Sequence, residues 1–200
     1  MAFSSYKSIA DVQEKFNIKH VERSFIIANP TTPSPEFLQD LAFVQQNIDI
    51  ATSEAARCEA IIFPILKEVY KRHYQHFSLW IKKHISFDSD LQGEPDYLLA
   101  TKSELGKKVL AKPLLAVVEA KKNDFEHGWG QCLVELVALQ KINDVPNFTY
   151  YGMVSDGNLW QFGKLTDSLF VQDTSSLTLD NLERLFGALT FVFEAIQTKV

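Results

Sequence analysis

The chain has 200 residues, 46% of them hydrophobic, and its 20 Lys and Arg against 25 Asp and Glu give a formal net charge of −5. A chain of this length and composition is expected to fold as one domain and to bury about 70% of its unfolded surface. With only 8 Gly and 7 Pro, collagen-like and low-complexity classes are excluded. The acidic balance argues against a protein coated in nucleic acid, although it allows a small basic patch.

Neither membrane spans nor export signals stand out in the sequence. The longest apolar runs are broken by Lys67, Lys82 or Glu119 before they reach the roughly 18 residues of a membrane span. Asp11 and Glu14 lie where a signal peptide would have its apolar segment. We therefore expect a cytoplasmic protein with no membrane partner.

Residues 1–50 are interpreted as an N-terminal extension that carries one short helix. Pro30, Pro33 and Pro35 interrupt regular structure, and Ser34 followed by Pro35 fits the N-cap and first position of a helix. The pattern predicts a helix from Pro35 to about Asn47.

Residues 51–165 are expected to form the core of a single domain. Apolar residues recur at three- and four-residue steps over Ser53–Gln75, which predicts an amphipathic helix. A β-rich region follows, with strands predicted at Phe77–Phe87, Tyr97–Ala100 and Pro113–Ala120. The last of these is a continuous apolar run, which is typical of a strand covered on both faces.

Helical spacing returns over Phe125–Ile142, and the chain then predicts a hairpin of Phe148–Val154 and Leu159–Leu165. Asp156-Gly157 between these two strands suits a type I′ turn. A last helix is predicted within residues 178–198. The resulting order, α-β-β-β-α-β-β-α, predicts an α/β domain with a central mixed β-sheet flanked by helices.

Charged residues occupy two places where a buried strand should be apolar. Asp96 lies directly before the start of one predicted strand, and Glu119 and Lys121 lie at the end of the next. Side chains alternate along a strand, so Glu119 and Lys121 share one face. If the two strands pair, we expect the Asp96 carboxylate to lie close to Glu119 and Lys121.

Two carboxylates and an ammonium group at a strand end suit metal-assisted hydrolysis of phosphodiesters. Asp96 and Glu119 offer the oxygen ligands that Mg²⁺ prefers, with Mn²⁺ as a substitute, and the main-chain carbonyl of Ala120 could supply another. The ion would polarise the phosphate and acidify a bound water. Lys121 would orient that water or stabilise charge on the phosphate oxygens. The non-functional alternative is that Glu119 and Lys121 form an exposed ion pair that contributes little to stability.

The motif context resembles a known family. Asp96 within Gly-Glu-Pro-Asp-Tyr-Leu-Leu, followed by Glu-Ala-Lys after an apolar strand, resembles the PD-(D/E)xK nuclease superfamily with its restriction-endonuclease-like fold. The resemblance covers roughly Ser53 to Leu165. Glu-Ala-Lys-Lys, Gly-Trp-Gly-Gln at 128–131 and the Ser-Asp-Gly-Asn-Leu-Trp-Gln-Phe hairpin are most similar to the nuclease domain of type I restriction subunits and related orphan proteins.

The resemblance implies roles for individual residues. Asp96 and Glu119 match the two metal-binding acids of the family, and Lys121 matches its catalytic lysine. A further acid from the first helix often completes the metal site, for which Glu59 is preferred because it lies at the edge of the buried stripe. Glu54 is the alternative, although an acid after a helix N-cap also complements the helix dipole.

Gln131 matches a polar supporting position on the second helix of some relatives. The Tyr that often follows four residues later is replaced here by Glu135. Basic side chains could also form a rim that contacts phosphates, although charge runs are more often solvated faces; the rim candidates are Lys67, Lys71, Arg72, Lys82 and Lys122.

The leading hypothesis is a Mg²⁺-dependent nuclease, a hydrolase acting on phosphodiester bonds in nucleic acid, with DNA favoured as partner and substrate. The alternative is a catalytically inactive nuclease-fold protein that binds nucleic acid or a protein partner. A weaker alternative is a metal-dependent hydrolase of small phosphate esters. Many members of the superfamily work as dimers, so a homodimer is also considered.

Overall fold

The computed structural model describes residues 3–198. Helices and strands alternate along most of the chain. The helical segments are α1 (Ile9–Phe16), α2 (Pro35–Asn47), α3 (Glu54–Arg57), α4 (Phe63–Tyr70), α5 (Phe125–Asn143) and α6 (Leu182–Gln197). The strands are β1 (Lys19–Glu22), β2 (Phe77–Ile81), β3 (Ile85–Ser86), β4 (Gln92–Gly93), β5 (Tyr97–Thr101), β6 (Leu114–Ala120), β7 (Thr149–Ser155), β8 (Leu159–Thr166), β9 (Leu169–Gln172) and β10 (Leu177–Thr178).

Eight of the strands form one mixed sheet in the order β1-β9-β8-β7-β6-β5-β2, with β10 paired to β8. The β6–β7 and β1–β9 pairs are parallel, and the other neighbours are antiparallel. β3 and β4 form a separate hairpin. The predicted α/β class, a mixed sheet flanked by helices, is confirmed.

β6 is an interior strand of the sheet, between β5 and β7, and all seven of its residues are buried. Its apolar sequence is what a strand covered on both faces requires. The long helix α5 connects β6 to the parallel strand β7 and buries Gly128 to Leu139. In such a unit the carboxyl ends of the parallel strands are the usual place for a ligand.

The helix predicted over Ser53–Gln75 begins as expected but contains an irregular turn. Ser53 caps it by accepting the Ala56 N–H at 3.0 Å, and a π turn over Cys58–Ile62 separates α3 from α4. Pro64 has no N–H to donate and its ring crowds the carbonyl four residues earlier, so a wider turn before it is the expected accommodation. The helix ends at Tyr70 rather than Gln75.

The prediction of one strand over Phe77–Phe87 is wrong. β2 ends at Ile81 because Lys82 adopts a left-handed backbone conformation with φ of 45°. Ile85–Ser86 instead pairs with Gln92–Gly93 in the separate hairpin.

The turn between β7 and β8 is also different from the predicted type I′ turn. Of its residues only Gly157 has a positive φ, whereas a type I′ turn requires two. The Asp156 carboxylate accepts the N–H groups of Asn158 and Leu159 at 3.0 and 2.8 Å, which stabilises the observed loop. Such side-chain bonds to nearby backbone explain why Asp favours turns.

The predicted element order omitted α1, β1, the β3–β4 hairpin, β9 and β10. The segment before residue 50 adds β1 to the sheet edge, parallel to β9. α1 lies against α5 at Gly130, where a Cβ would approach the Ser8 main-chain nitrogen to 2.6 Å. None of the helices within residues 3–198 is long and apolar enough to cross a bilayer.

Candidate active site

Strand register brings Asp96 to Glu119. Tyr97 on β5 lies opposite Val118 on β6, and the next step of this antiparallel register places Asp96 opposite Glu119. The Asp96 Oδ2 atom accepts the Ala120 N–H at 2.9 Å, which fixes the carboxylate at the end of β6. Both acids are buried, at 7% and 3% exposed.

Lys121 joins Glu119 on the same face, as strand alternation predicted. Its Nζ lies 3.0 Å from Glu119 Oε1, and only 14% of its side chain is exposed. The alternative of a solvent-exposed ion pair is therefore wrong. In a buried setting such a pair interacts more strongly than at the surface, but each charge also loses hydration.

The environment shifts the ionisation of this pair. Burial, followed by the nearby Asp96 carboxylate, raises the pKa of Glu119 to about 7, although Lys121 opposes the shift. Burial lowers the pKa of Lys121, but the attraction of Glu119 outweighs this effect, so the lysine pKa is raised overall. Near neutral pH the ammonium is charged and Glu119 is close to its titration point.

Glu135 is the acid that sequence reasoning did not place at the site. It lies on α5, is 1% exposed, and its Oε2 atom has no hydrogen-bond partner among residues 3–198. Burial, followed by the nearby Glu119 and Asp96, raises its pKa well above the usual value. The sequence signal was an acid between Val134 and Leu136 in an apolar stretch of helix.

The two acids proposed on the first helix occupy different places. Glu54 is half-buried, with Oε1 3.9 Å from Lys121 Nζ, whereas Glu59 is exposed. Arg57 anchors α3 to the β7–β8 turn, since its Nη1 donates to the Asp156 carbonyl at 3.1 Å. Of the two acids on the first helix, Glu54 is thus the one that the geometry places beside the lysine.

A cavity of about 470 Å³ opens beside Asp96. Its polar lining comes from Glu54 and Glu59 on the helix and from Lys82, Asp96 and Tyr97 on the sheet. The Tyr97 hydroxyl donates to the Cys58 carbonyl at 3.1 Å, which ties the π turn to the sheet. The cavity is therefore bounded by the irregular helix and by the ends of β2 and β5.

The basic residues proposed as a rim contact different parts of the fold. Lys67 and Lys71 line a separate cavity of about 610 Å³ between α2 and α4, which shares only Glu59 with the smaller one. Lys71 Nζ pairs with Glu68 at 2.8 Å. Arg72 donates to the Thr32 carbonyl at 2.8 Å.

The other two rim candidates lie closer to the acids. Lys82 Nζ is 3.2 Å from Asp96 Oδ1, and Lys122 Nζ is 3.4 Å from the Thr52 carbonyl, two residues before Glu54. Gln131 is nearly buried on α5, one helical turn before Glu135.

The donor set suits a hard divalent cation, although the structure does not present a preassembled cage. Among residues 3–198 no group of three or more His, Cys, Asp or Glu side chains is arranged to hold a metal ion. Mg²⁺ commonly binds through one or two carboxylates and completes its shell with water and phosphate oxygens. Glu135 adds a further buried carboxyl group beside Glu119, and its Oε2 atom has no hydrogen-bond partner among residues 3–198.

Comparison with known proteins adds no family to these observations. Neither a scan against protein-family models nor a search of curated proteins finds a match to this chain.

Proposed function

We propose that the chain is a divalent-cation-dependent nuclease with a restriction-endonuclease-like fold, which hydrolyses phosphodiester bonds in nucleic acid, DNA being the favoured substrate. The observation that carries the proposal is the convergence of Asp96, Glu119 and Lys121 at the adjoining ends of β5 and β6. Residue types and spacing match the motif on which the family resemblance depends.

The arrangement of the core elements supports the proposed fold. A helical segment precedes three antiparallel strands, β2, β5 and β6, and α5 then leads to β7, parallel to β6. This order is the one that the family resemblance implies for the first helix, the motif-bearing strands and the following helix. The other strands extend the sheet on the β7 side.

Each polar group has a distinct role in the proposed reaction. Asp96 and Glu119, with the Ala120 carbonyl, would hold a Mg²⁺ ion, which supplies Lewis-acid polarisation of the phosphate and a more acidic water. The Ala120 N–H holds Asp96 in place. Lys121, kept charged beside Glu119, stabilises negative charge on the phosphate oxygens.

Cleavage assays on the purified chain test the proposal. Duplex, single-stranded and branched DNA, and RNA, are incubated with Mg²⁺ or Mn²⁺ and the wild-type protein. Asp96→Asn and Lys121→Met should each lower the cleavage rate by about 100-fold or more, as loss of one preorganised electrostatic group does in other enzymes.

Lys141→Met is a matched control, because it removes the same charge from an exposed position near the end of α5. It should cleave like the wild type. Cleavage that survives both Asp96→Asn and Lys121→Met would refute the proposed site.

A non-cleaving, nucleic-acid-binding role is a second candidate, and one observation favours it. Each carboxylate of the motif already has a lysine partner, Lys82 on Asp96 and Lys121 on Glu119. This role predicts DNA retention that weakens with salt and shows no turnover. Tight Mg²⁺ binding in calorimetry that is lost in Asp96→Asn would count against it.

A further inference from the structure

Lys82 faces the acids across the strand ends. β2 pairs antiparallel with β5, with Ile81 opposite Tyr97, so the next step places Lys82 opposite Asp96. The Lys82 N–H donates to the Asp96 carbonyl at 3.0 Å, and its Nζ reaches Asp96 Oδ1 at 3.2 Å. With Glu119 opposite Asp96 on the other side, a cation and two carboxylates lie in one row across β2, β5 and β6.

The two oxygens of Asp96 are held in different ways. Oδ2 accepts the buried Ala120 N–H, a bond made by the backbone at the end of β6. Oδ1 is paired with the Lys82 ammonium, whose side chain is 66% exposed, and Asp96 and Lys82 both line the cavity. Oδ1 is therefore the oxygen that an incoming cation can reach.

We propose that Lys82 is a resident counter-ion of Asp96, which a divalent cation displaces from Oδ1 and which then turns to a phosphate oxygen of the bound nucleic acid. The inference rests on the proposed function for the identity of the phosphate partner, but the displacement concerns the metal alone. Lys82 thus links metal binding to substrate binding.

Simple electrostatics gives the direction of the exchange. Attraction to a carboxylate scales with charge, so a divalent ion outcompetes an ammonium at the same oxygen. Only the Lys82 side of this pair is exposed, and the arriving cation replaces the ammonium beside the buried carboxylate, so release of Lys82 does not leave Asp96 unpaired. Once the metal neutralises Asp96, the ammonium is repelled by the ion and attracted by the phosphate oxygens that complete the metal shell.

The left-handed backbone at Lys82 directs the choice of variant. Its φ of 45° is tolerated by an unbranched side chain, and Lys82→Met keeps the aliphatic stem while removing the charge. Lys83→Met is the matched control: it removes the same charge one residue away, where the ammonium lies 5.2 Å from the centre of the Trp80 ring.

The first measurement is calorimetric titration with Mn²⁺ and Mg²⁺ in the absence of nucleic acid. Lys82→Met should bind the metal roughly threefold more tightly than the wild type, because the metal no longer displaces an ion pair. Lys83→Met should bind it like the wild type. The second measurement is oligonucleotide cleavage, in which Lys82→Met should raise KM several-fold more than Lys83→Met does.

The outcomes separate this inference from the proposed function. Tighter metal binding by Lys82→Met, in a protein whose wild type cuts nothing, would support the displacement and refute the nuclease. Equal metal affinities in wild type, Lys82→Met and Lys83→Met, with an active wild type, would overturn the inference and leave the nuclease intact. If no form binds a divalent cation at millimolar concentration, both are refuted.

Discussion

Replacing Glu135 should stabilise the protein. Its carboxyl group is fully buried on α5, and Oε2 has no hydrogen-bond partner among residues 3–198. Glu135→Met has a similar length, good helix propensity and no polar atom that needs a partner. The substitution therefore removes the buried polar group without leaving a large cavity.

The magnitude follows from the unpaired oxygen. A buried acceptor without a partner costs about 1–3 kcal/mol. In a domain of this size 1 kcal/mol shifts Tm by roughly 2–4 °C, so Glu135→Met should raise Tm by about 2–12 °C.

The gain should grow with pH. Burial raises the pKa of Glu135 in the folded state above its ordinary value of 4.5. The folded protein therefore holds a proton that the unfolded chain releases, and the wild type loses stability as pH rises above about 4.5. Glu135→Met lacks this penalty, so its advantage is larger at pH 8 than at pH 5.

Guanidinium unfolding followed by circular dichroism at both pH values measures the effect. Glu14→Met is the matched control, because Glu14 is exposed on α1, and it should change stability by less than about 0.5 kcal/mol. If Glu135→Met instead lowers the free energy of unfolding by more than about 1 kcal/mol at pH 8, the carboxylate has a compensating partner and the reasoning fails.

Two further predictions concern the geometry and ionisation of the site. In Gly128→Ala the new Cβ would lie 2.7 Å from Val154 Cγ1 and 2.9 Å from Lys121 Cγ, so the lysine stem must shift. We expect the free energy of unfolding to fall by about 1–3 kcal/mol and cleavage to slow. A variant with the stability and the cleavage rate of the wild type would contradict this packing. Because the pKa of Glu119 is raised to about 7, mainly by burial, a metal that binds below pH 7 must displace the proton of this carboxyl group. Calorimetry should show metal affinity rising about tenfold per pH unit below 7 and levelling above 8. A metal affinity that does not change with pH would exclude Glu119 as a ligand.

Local sequence patterns predicted α2, α5 and the strands β5 to β8, together with the order of the motif residues. Ser34-Pro35 predicted the start of α2, and that helix runs over Pro35–Asn47. Strand alternation predicted that Glu119 and Lys121 share a face, and their 3.0 Å separation agrees. Such patterns act through bonds and side chains within a few residues, so one sequence suffices to detect them.

Tertiary structure alone decided which other groups meet these residues. The apolar stripe favoured Glu59, but Glu59 is exposed within the π turn, and Glu54 Oε1 lies 3.9 Å from Lys121 Nζ. The burial of Glu135 depends on α5 packing against the sheet.

The contact of Lys82 with Asp96 depends on the pairing of β2 with β5. Residues 19–22 become an edge strand of the sheet only because they pair with β9, about 150 residues later in the chain. No local pattern specifies these pairings, because the hydrogen bonds and charges that select them come from distant parts of the chain. The sequence by itself therefore determined the chemistry of the motif, and the fold decided which charges surround it.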